Sequence, residues 1–190
     1  MKKIILIVLL IVFSVSLKAQ ISVGLKGGTS FSSIQIKESS QSMKSSSDNR
    51  TAFMAGGYAT ISISDKLKLQ PEFLYQGMGG SIDKVTFKNE YVSIPVLLKY
   101  GITDNFYLEA GPQFSLLVSS KAAGEDIKDA FKSSDFQVLI GASLNLTDKI
   151  GAGVRYGMGM SNIASNSFNS NISTDIRNKA FMVMVSYKVF

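Results

Sequence analysis

The sequence predicts an all-β protein: an eight-stranded antiparallel, up-and-down β-barrel that crosses a membrane, preceded by a cleavable signal peptide. Three observations predict it. Apolar and polar residues alternate with period two in eight segments of about ten residues. Every ionisable residue inside those segments falls on the polar phase, and the connections between them alternate between short and long.

Residues 1–19 stand apart from the pattern. Lys2 and Lys3 precede an apolar run from Ile4 to Leu17, and the small residue Ala19 precedes the expected cut before Gln20. This is the order of a secretory signal peptide. The run counts 14 residues, short of the roughly 20 that a helix needs to span a bilayer. The mature chain is then a single domain over residues 20–190. No stretch within it is long and apolar enough for a spanning helix, so residence in a membrane has to be by barrel.

The first segment sets Ile21, Val23, Leu25 and Phe31 against Ser22, Gly24, Lys26 and Ser30, and the second sets Phe53, Ala55, Ala59 and Ile61 against Met54, Gly56, Tyr58 and Thr60. The third opposes Leu67, Leu69, Phe73 and Tyr75 to Lys68, Gln70, Glu72 and Leu74; the fourth opposes Val92, Ile94, Val96 and Leu98 to Tyr91, Ser93, Leu97 and Lys99. In the fifth, Phe106, Leu108, Ala110 and Phe114 face away from Tyr107, Glu109, Gly111 and Gln113. In the sixth, Phe136, Val138, Ile140 and Leu144 face away from Gln137, Gly141 and Ser143. The seventh alternates Ile150, Val154 and Tyr156 with Gly151, Arg155 and Gly157, and the last alternates Phe181, Val183, Val185 and Tyr187 with Met182, Met184, Ser186 and Lys188.

Alternation by itself also suits a soluble barrel with its apolar phase inside. Three features favour the inserted form. Glycine crowds the polar phase (24, 28, 56, 111, 141, 151, 153, 157, 159), which fits a narrow lumen better than a solvated surface. The apolar phase is continuous and rich in aromatic rings, as a lipid-facing band requires. The short connections, Ser64-Asp65-Lys66, 101–105 and Thr147-Asp148-Lys149, repeat one turn chemistry, whereas 32–50, 78–90, 119–135 and 161–178 read as long hydrophilic loops. Short turns on one rim and long loops on the other is the asymmetry of outer-membrane barrels. Pro71, Pro95 and Pro112 lie inside strands and lack a ladder donor, so a bulge or local break is expected at each.

Composition removes most enzyme chemistry. The chain has no Cys and no His, which excludes disulfides, thiolate metal sites, Ser-His-Asp triads and the common His-rich zinc sites. Glycines 151, 153, 157 and 159 alternate as a strand face and precede no helix, so they are no phosphate loop. No catalytic residue, cofactor or metal is expected. The formal charge of +6 falls to +3 once Lys2, Lys3 and Lys18 leave with the signal peptide, since 17 basic residues then face 14 acidic ones. The four long loops carry nine of each, so the excess sits in the lumen and at the short-turn rim, and no nucleic-acid-binding face is expected.

The polar phase does carry one candidate constellation: Lys26, Lys68, Glu72, Lys99, Glu109 and Arg155. Glu72 lies seven residues past Asp65 and Arg155 seven past Asp148, so these two side chains enter the lumen at similar height. Charges in such a space are costly unless paired, which predicts a lumen ion network. An eight-stranded barrel is just wide enough for its own side chains, so the network is expected to plug the lumen.

At Gly24-Leu25-Lys26-Gly27-Gly28-Thr29-Ser30-Phe31-Ser32, Leu69-Gln70-Pro71-Glu72-Phe73-Leu74-Tyr75 and Tyr91-Val92-Ser93-Ile94-Pro95-Val96-Leu97-Leu98-Lys99-Tyr100 the chain resembles the PorT-like outer-membrane β-barrel family of Bacteroidota. Tyr107-Leu108-Glu109-Ala110-Gly111-Pro112 and Val154-Arg155-Tyr156 extend the resemblance over nearly all of the mature chain. It implies a barrel of the cell outer membrane without a catalytic signature, and, through the founding member, a link to protein secretion. The expected partners are outer-membrane lipid, the barrel-assembly machinery during biogenesis, and envelope proteins or surface glycans met by the long loops, the first of which holds eight serines. Both mature termini are expected in the periplasm. The alternative role is an accessory component of a transport or protein-secretion apparatus. Barrel assembly commonly reads a C-terminal aromatic in phase with the lipid-facing residues. Phe190 is out of phase with Val189 and Tyr187, which predicts a bulge near Lys188 or a looser recognition.

Overall fold

The computed structural model describes residues 21–38, 44–46, 48–82, 85–164 and 174–190. The signal peptide expected at 1–19 lies outside them. Eight long strands build the wall: β1 (Ile21–Glu38), β2 (Asp48–Ser62), β3 (Leu67–Ile82), β4 (Val85–Gly101), β5 (Phe106–Ala122), β6 (Ser134–Asn145), β7 (Ile150–Gly159) and β8 (Thr174–Lys188). Each is antiparallel to its sequence neighbours, and β8 pairs with β1 from Gly24↔Lys188 to Glu38↔Thr174, which closes the barrel and leaves no free edge. Two short strands, Lys44–Ser46 and Glu125–Asp126, and a 3-10 turn, Lys128–Ala130, decorate the long-connection end.

The wall is inverted relative to a soluble barrel. Phe53 (86% exposed), Phe73 (60%) and Leu25 (61%) point outward, while Glu72 (3%) and Arg155 (1%) are buried inside. Water would make such an outer face very costly, whereas lipid makes it the favourable arrangement.

The three short turns are built alike. A backbone N–H donates to the hydroxyl three residues earlier at Leu67→Ser64 (3.2 Å), Phe106→Thr103 (3.1 Å) and Ile150→Thr147 (2.9 Å). The Leu67 N–H also donates to the Ser64 carbonyl at 3.3 Å, so there the hydroxyl adds a second acceptor within the turn. Both ends of the described wall, Ile21 and Phe190, lie at this same rim.

Two sequence expectations change. The segments 32–50, 78–90, 119–135 and 161–178 are not simply loops, because β1 runs to Glu38, β3 to Ile82, β5 to Ala122, and β8 starts at Thr174. About ten residues suffice for a tilted strand to cross a bilayer, so strands of 15–18 residues continue past it. Beyond the lipid the outward face meets water and need not be apolar, so the alternation that marks a strand in sequence disappears. Second, the inner face is not wholly polar. Met54, Leu74, Leu97, Leu139, Ala180, Met182 and Met184 form a buried apolar cluster inside the wall. The prolines are accommodated by local breaks, one of the two arrangements expected at each. Pairing skips from Tyr58↔Glu72 to Ile61↔Leu69 at Pro71, from Pro71↔Val96 to Leu74↔Ser93 at Pro95, and from Pro95↔Gln113 to Leu98↔Ala110 at Pro112, with the register kept across each gap.

The bulge expected near the C-terminus is present. The Val23 carbonyl accepts from both Val189 (2.8 Å) and Phe190 (3.3 Å), so two residues oppose one. Phe190 ends 81% exposed and Val189 41%, which returns an aromatic end to the outer surface.

Ile140 projects outward from the middle of β6 at 48% exposure. Ile140→Lys places a cation on the lipid face and is expected to destabilise the folded barrel by about 2–4 kcal/mol, measured by reversible urea unfolding in lipid vesicles. The inward change Ser143→Lys should cost less, which separates a lipid-facing position from a merely crowded one.

Candidate functional site

The functional candidates sit in the lumen, and strand register decides which of them meet. Reading directly across the wall, Lys68 pairs with Lys99, Lys99 with Glu109, Glu109 with Gly141, and Gly141 with Arg155. Gly141 therefore stands between an acid and a base. A Cβ there would lie 2.8 Å from Arg155 Cγ and 2.4 Å from the Val154 carbonyl oxygen, so glycine leaves the corridor through which Arg155 reaches Glu109.

Arg155 is the hub. Its Nη1 and Nη2 donate to Glu72 Oε2 and Oε1, both at 2.7 Å, and its Nε donates to Glu109 Oε1. The guanidinium fork thus holds one carboxylate bidentately and a second by its remaining edge, a geometry that lysine cannot supply. Lys26 Nζ adds a 2.5 Å bond to Glu72 Oε1, and Lys99 Nζ lies 3.5 Å from Glu109 Oε2. Gln70 Nε2 donates to Glu72 at 2.5 Å and Ser143 Oγ to Glu109 at 3.3 Å. These bonds replace the water that each charge lost on entering the lumen.

Five of the six residues singled out in the sequence, Lys26, Glu72, Lys99, Glu109 and Arg155, thus join in one ion network. Lys68 does not enter it by ion pairing. Its Nζ instead donates to Tyr107 Oη at 2.8 Å and lies 4.4 Å from the centre of that ring. Above the network, toward the long-connection end, the apolar cluster around Leu74 and Leu139 fills the bore.

Sequence reasoning missed a second polar layer beyond that cluster. Asp135, 1% exposed, accepts from Ser161 Oγ (2.7 Å), Gln137 Nε2 (2.8 Å) and Asn178 Nδ2 (3.0 Å). Met78, Tyr91 and Leu117 pack around this level. Asp135 falls within 119–135, which reads as a loop in the sequence, although its alternation with the outward Phe136 and the inward Gln137 is the signal that places it in a strand. Nearer the rim, Arg50 Nη2 bonds Glu90 Oε1 at 2.6 Å.

Arg155→Met leaves Glu72 and Glu109 buried without their chief partner and is expected to cost about 3–5 kcal/mol, whereas the triple change Arg155→Met, Glu72→Gln, Glu109→Gln should recover most of it. Unfolding midpoints in one lipid system check this. Gly141→Val should cost about 1–3 kcal/mol, and when it is added to Arg155→Met only the part due to the Arg155 side chain should disappear, because the Val154 carbonyl still meets the new Cβ; a double-mutant cycle reads this partial non-additivity.

With a closed wall, a lipid-suited exterior and an ion-filled bore in view, comparison with known proteins adds the decisive fact. The model of the outer membrane protein β-barrel domain family matches residues 16–165. The chain belongs to that family. No curated protein matches it in sequence. Among solved structures it is similar to Ail, the attachment invasion locus protein of Yersinia pestis, determined in complex with the heparin analogue sucrose octasulfate. The identity is 13%, the TM-score is 0.53, and the alignment covers 89% of this chain and 99% of Ail. Neisserial surface protein A is similar at 15% identity and a TM-score of 0.53, over 86% of this chain and 96% of its own. At these identities the likeness is one of fold: a small closed barrel of the outer membrane.

Proposed function

We propose that this protein is a non-enzymatic outer-membrane barrel that does not conduct, and that it acts by presenting the long-connection end of its wall to partners outside the membrane. The observation that carries the reading is the filled bore. Arg155, Glu72 and Glu109 span the lumen at one level and the Leu74–Leu139 cluster occupies the next, so a hydrated ion has no open path. The surface available for recognition is then the extended hairpin end, where β3 and β4 pair as far as Ile82↔Val85 and β5 continues into the Glu125–Asp126 strand. Envelope proteins and surface glycans are the partner classes that such a polar rim suits.

On this reading residues 1–19 are removed on export, and the short-turn rim, with both mature termini, faces the periplasm. Kinship with the PorT-like barrels of Bacteroidota rests on the motifs around Gly24, Pro71 and Pro95. The conducting alternative is tested in planar bilayers. The wild-type protein is expected to give no stable conductance, and steady openings that change in Glu72→Gln would overturn the closed-lumen reading. The binding role is tested by cross-linking in native envelopes. Consistent recovery of secretion-machine subunits would replace it with a place in a secretion apparatus.

A further inference from the structure

The short-turn end of the lumen holds a cavity of about 140 Å³, several times the roughly 30 Å³ that a water molecule takes in the liquid. Lys26, Lys68, Lys99 and Arg155 line it, with Glu109 beside them and Glu72 bonded beneath. Four cations thus meet two carboxylates in one low-dielectric space, an excess of two positive charges. Lys149 and Lys188 stand at the mouth with Asp148, so the rim adds to the excess rather than cancelling it.

The distribution of that excess is informative. Lys68 and Lys99 are direct cross-strand partners, and like charges opposite one another are ordinarily unfavourable. Both nevertheless converge on Tyr107, at 4.4 and 5.3 Å from its ring centre. Lys99 is offset by Glu109, but among the described residues no carboxylate lies within ion-pair distance of Lys68. Neutral donors and acceptors complete the lining: Thr60, Ser143 and Asn145.

We infer that this vestibule is a binding site for a small dianionic oxyanion, inorganic phosphate or a phosphomonoester, held between Lys68 and Lys99 and entering from the short-turn rim. Two negative charges match the net excess of two positive charges in the vestibule. Lysine ammonium groups bind phosphate as point charges without needing a planar fork, and their protons are directed by rotation about a flexible stem. The site is independent of what the opposite end of the barrel binds, and the plug above it makes it a blind pocket rather than a path.

The test is isothermal titration of inorganic phosphate, and separately of glycerol phosphate, into the full mature barrel in neutral detergent at low ionic strength. Chloride titrated at matched ionic strength is the reference. Saturable binding of one phosphate per barrel is expected, weakened about tenfold or more in Lys68→Met and in Lys99→Met and unchanged in Lys121→Gln at the far rim. Heat-modifiable mobility establishes that each variant is folded before it is titrated. Equal affinity for the two ligands assigns the site to free phosphate, and tighter binding of the ester assigns it to a phosphorylated organic molecule. No saturable heat up to about 10 mM phosphate, binding that chloride reproduces, or full binding in folded Lys68→Met and Lys99→Met would overturn the inference.

Discussion

A single guanidinium is the fixed point of the barrel interior. Arg155 rises from β7, passes over Gly141 and grips Glu109 on β5, and with its fork grips Glu72 on β3 across the bore. Without it the two carboxylates would face one another in a space from which water is mostly excluded. With it, three strands that are distant in sequence are tied at one level, and Lys26 ties β1 to the same point. The desolvation cost of so many charges is large, which is why every oxygen and nitrogen of the network finds a partner among Gln70, Ser143 and one another.

That network explains the rest of the inner surface. Large side chains in the bore demand small ones on neighbouring strands, and glycine meets the demand. Gly24 lies opposite Tyr58, and a Cβ there would fall 2.5 Å from that ring. The wide aromatic and the bare backbone are two halves of one packing solution, with the Lys26 ammonium above the ring at 5.3 Å. Farther along the strands, charges give way to methionine and leucine, and then to an amide-rich layer that holds Asp135. The outer surface has the simpler task of offering methyl groups and rings to lipid.

Much of this was legible in the sequence because the bilayer imposes a strict rule on the segments that cross it. Each outward position must be apolar, so the phase of Lys26, Glu72, Glu109 and Arg155 identified the inner face without any structure. The same rule lapses outside the lipid, and the paired strands around Ile82 and Val85 read as loop for that reason. The inner apolar cluster was hidden because period-two reading sorts residues by face and says nothing of what a buried face packs against. Met54 and Leu97 lay on the polar phase as apparent exceptions. Equal distances from Asp65 and Asp148 placed Glu72 and Arg155, 83 residues apart, at similar height; that they meet across the bore depends on the stagger of all the intervening strands, which spacing within one strand leaves open.

The three prolines give the ion network a mechanical meaning. The gaps at Pro71, Pro95 and Pro112 fall in three successive interfaces, from β2–β3 to β4–β5, so one oblique band of the wall is short of backbone bonds. Glu72 sits within that band, in the interval between Pro71 and Leu74 where it would oppose Pro95. A cylinder thinned along one line resists flattening poorly if only its hoop is stiff. Arg155 acts as a spoke, anchored on the intact β7 side and fastened at the thin side. The ion network therefore adds a link through the centre of the bore to the part of the wall where the ladder is interrupted.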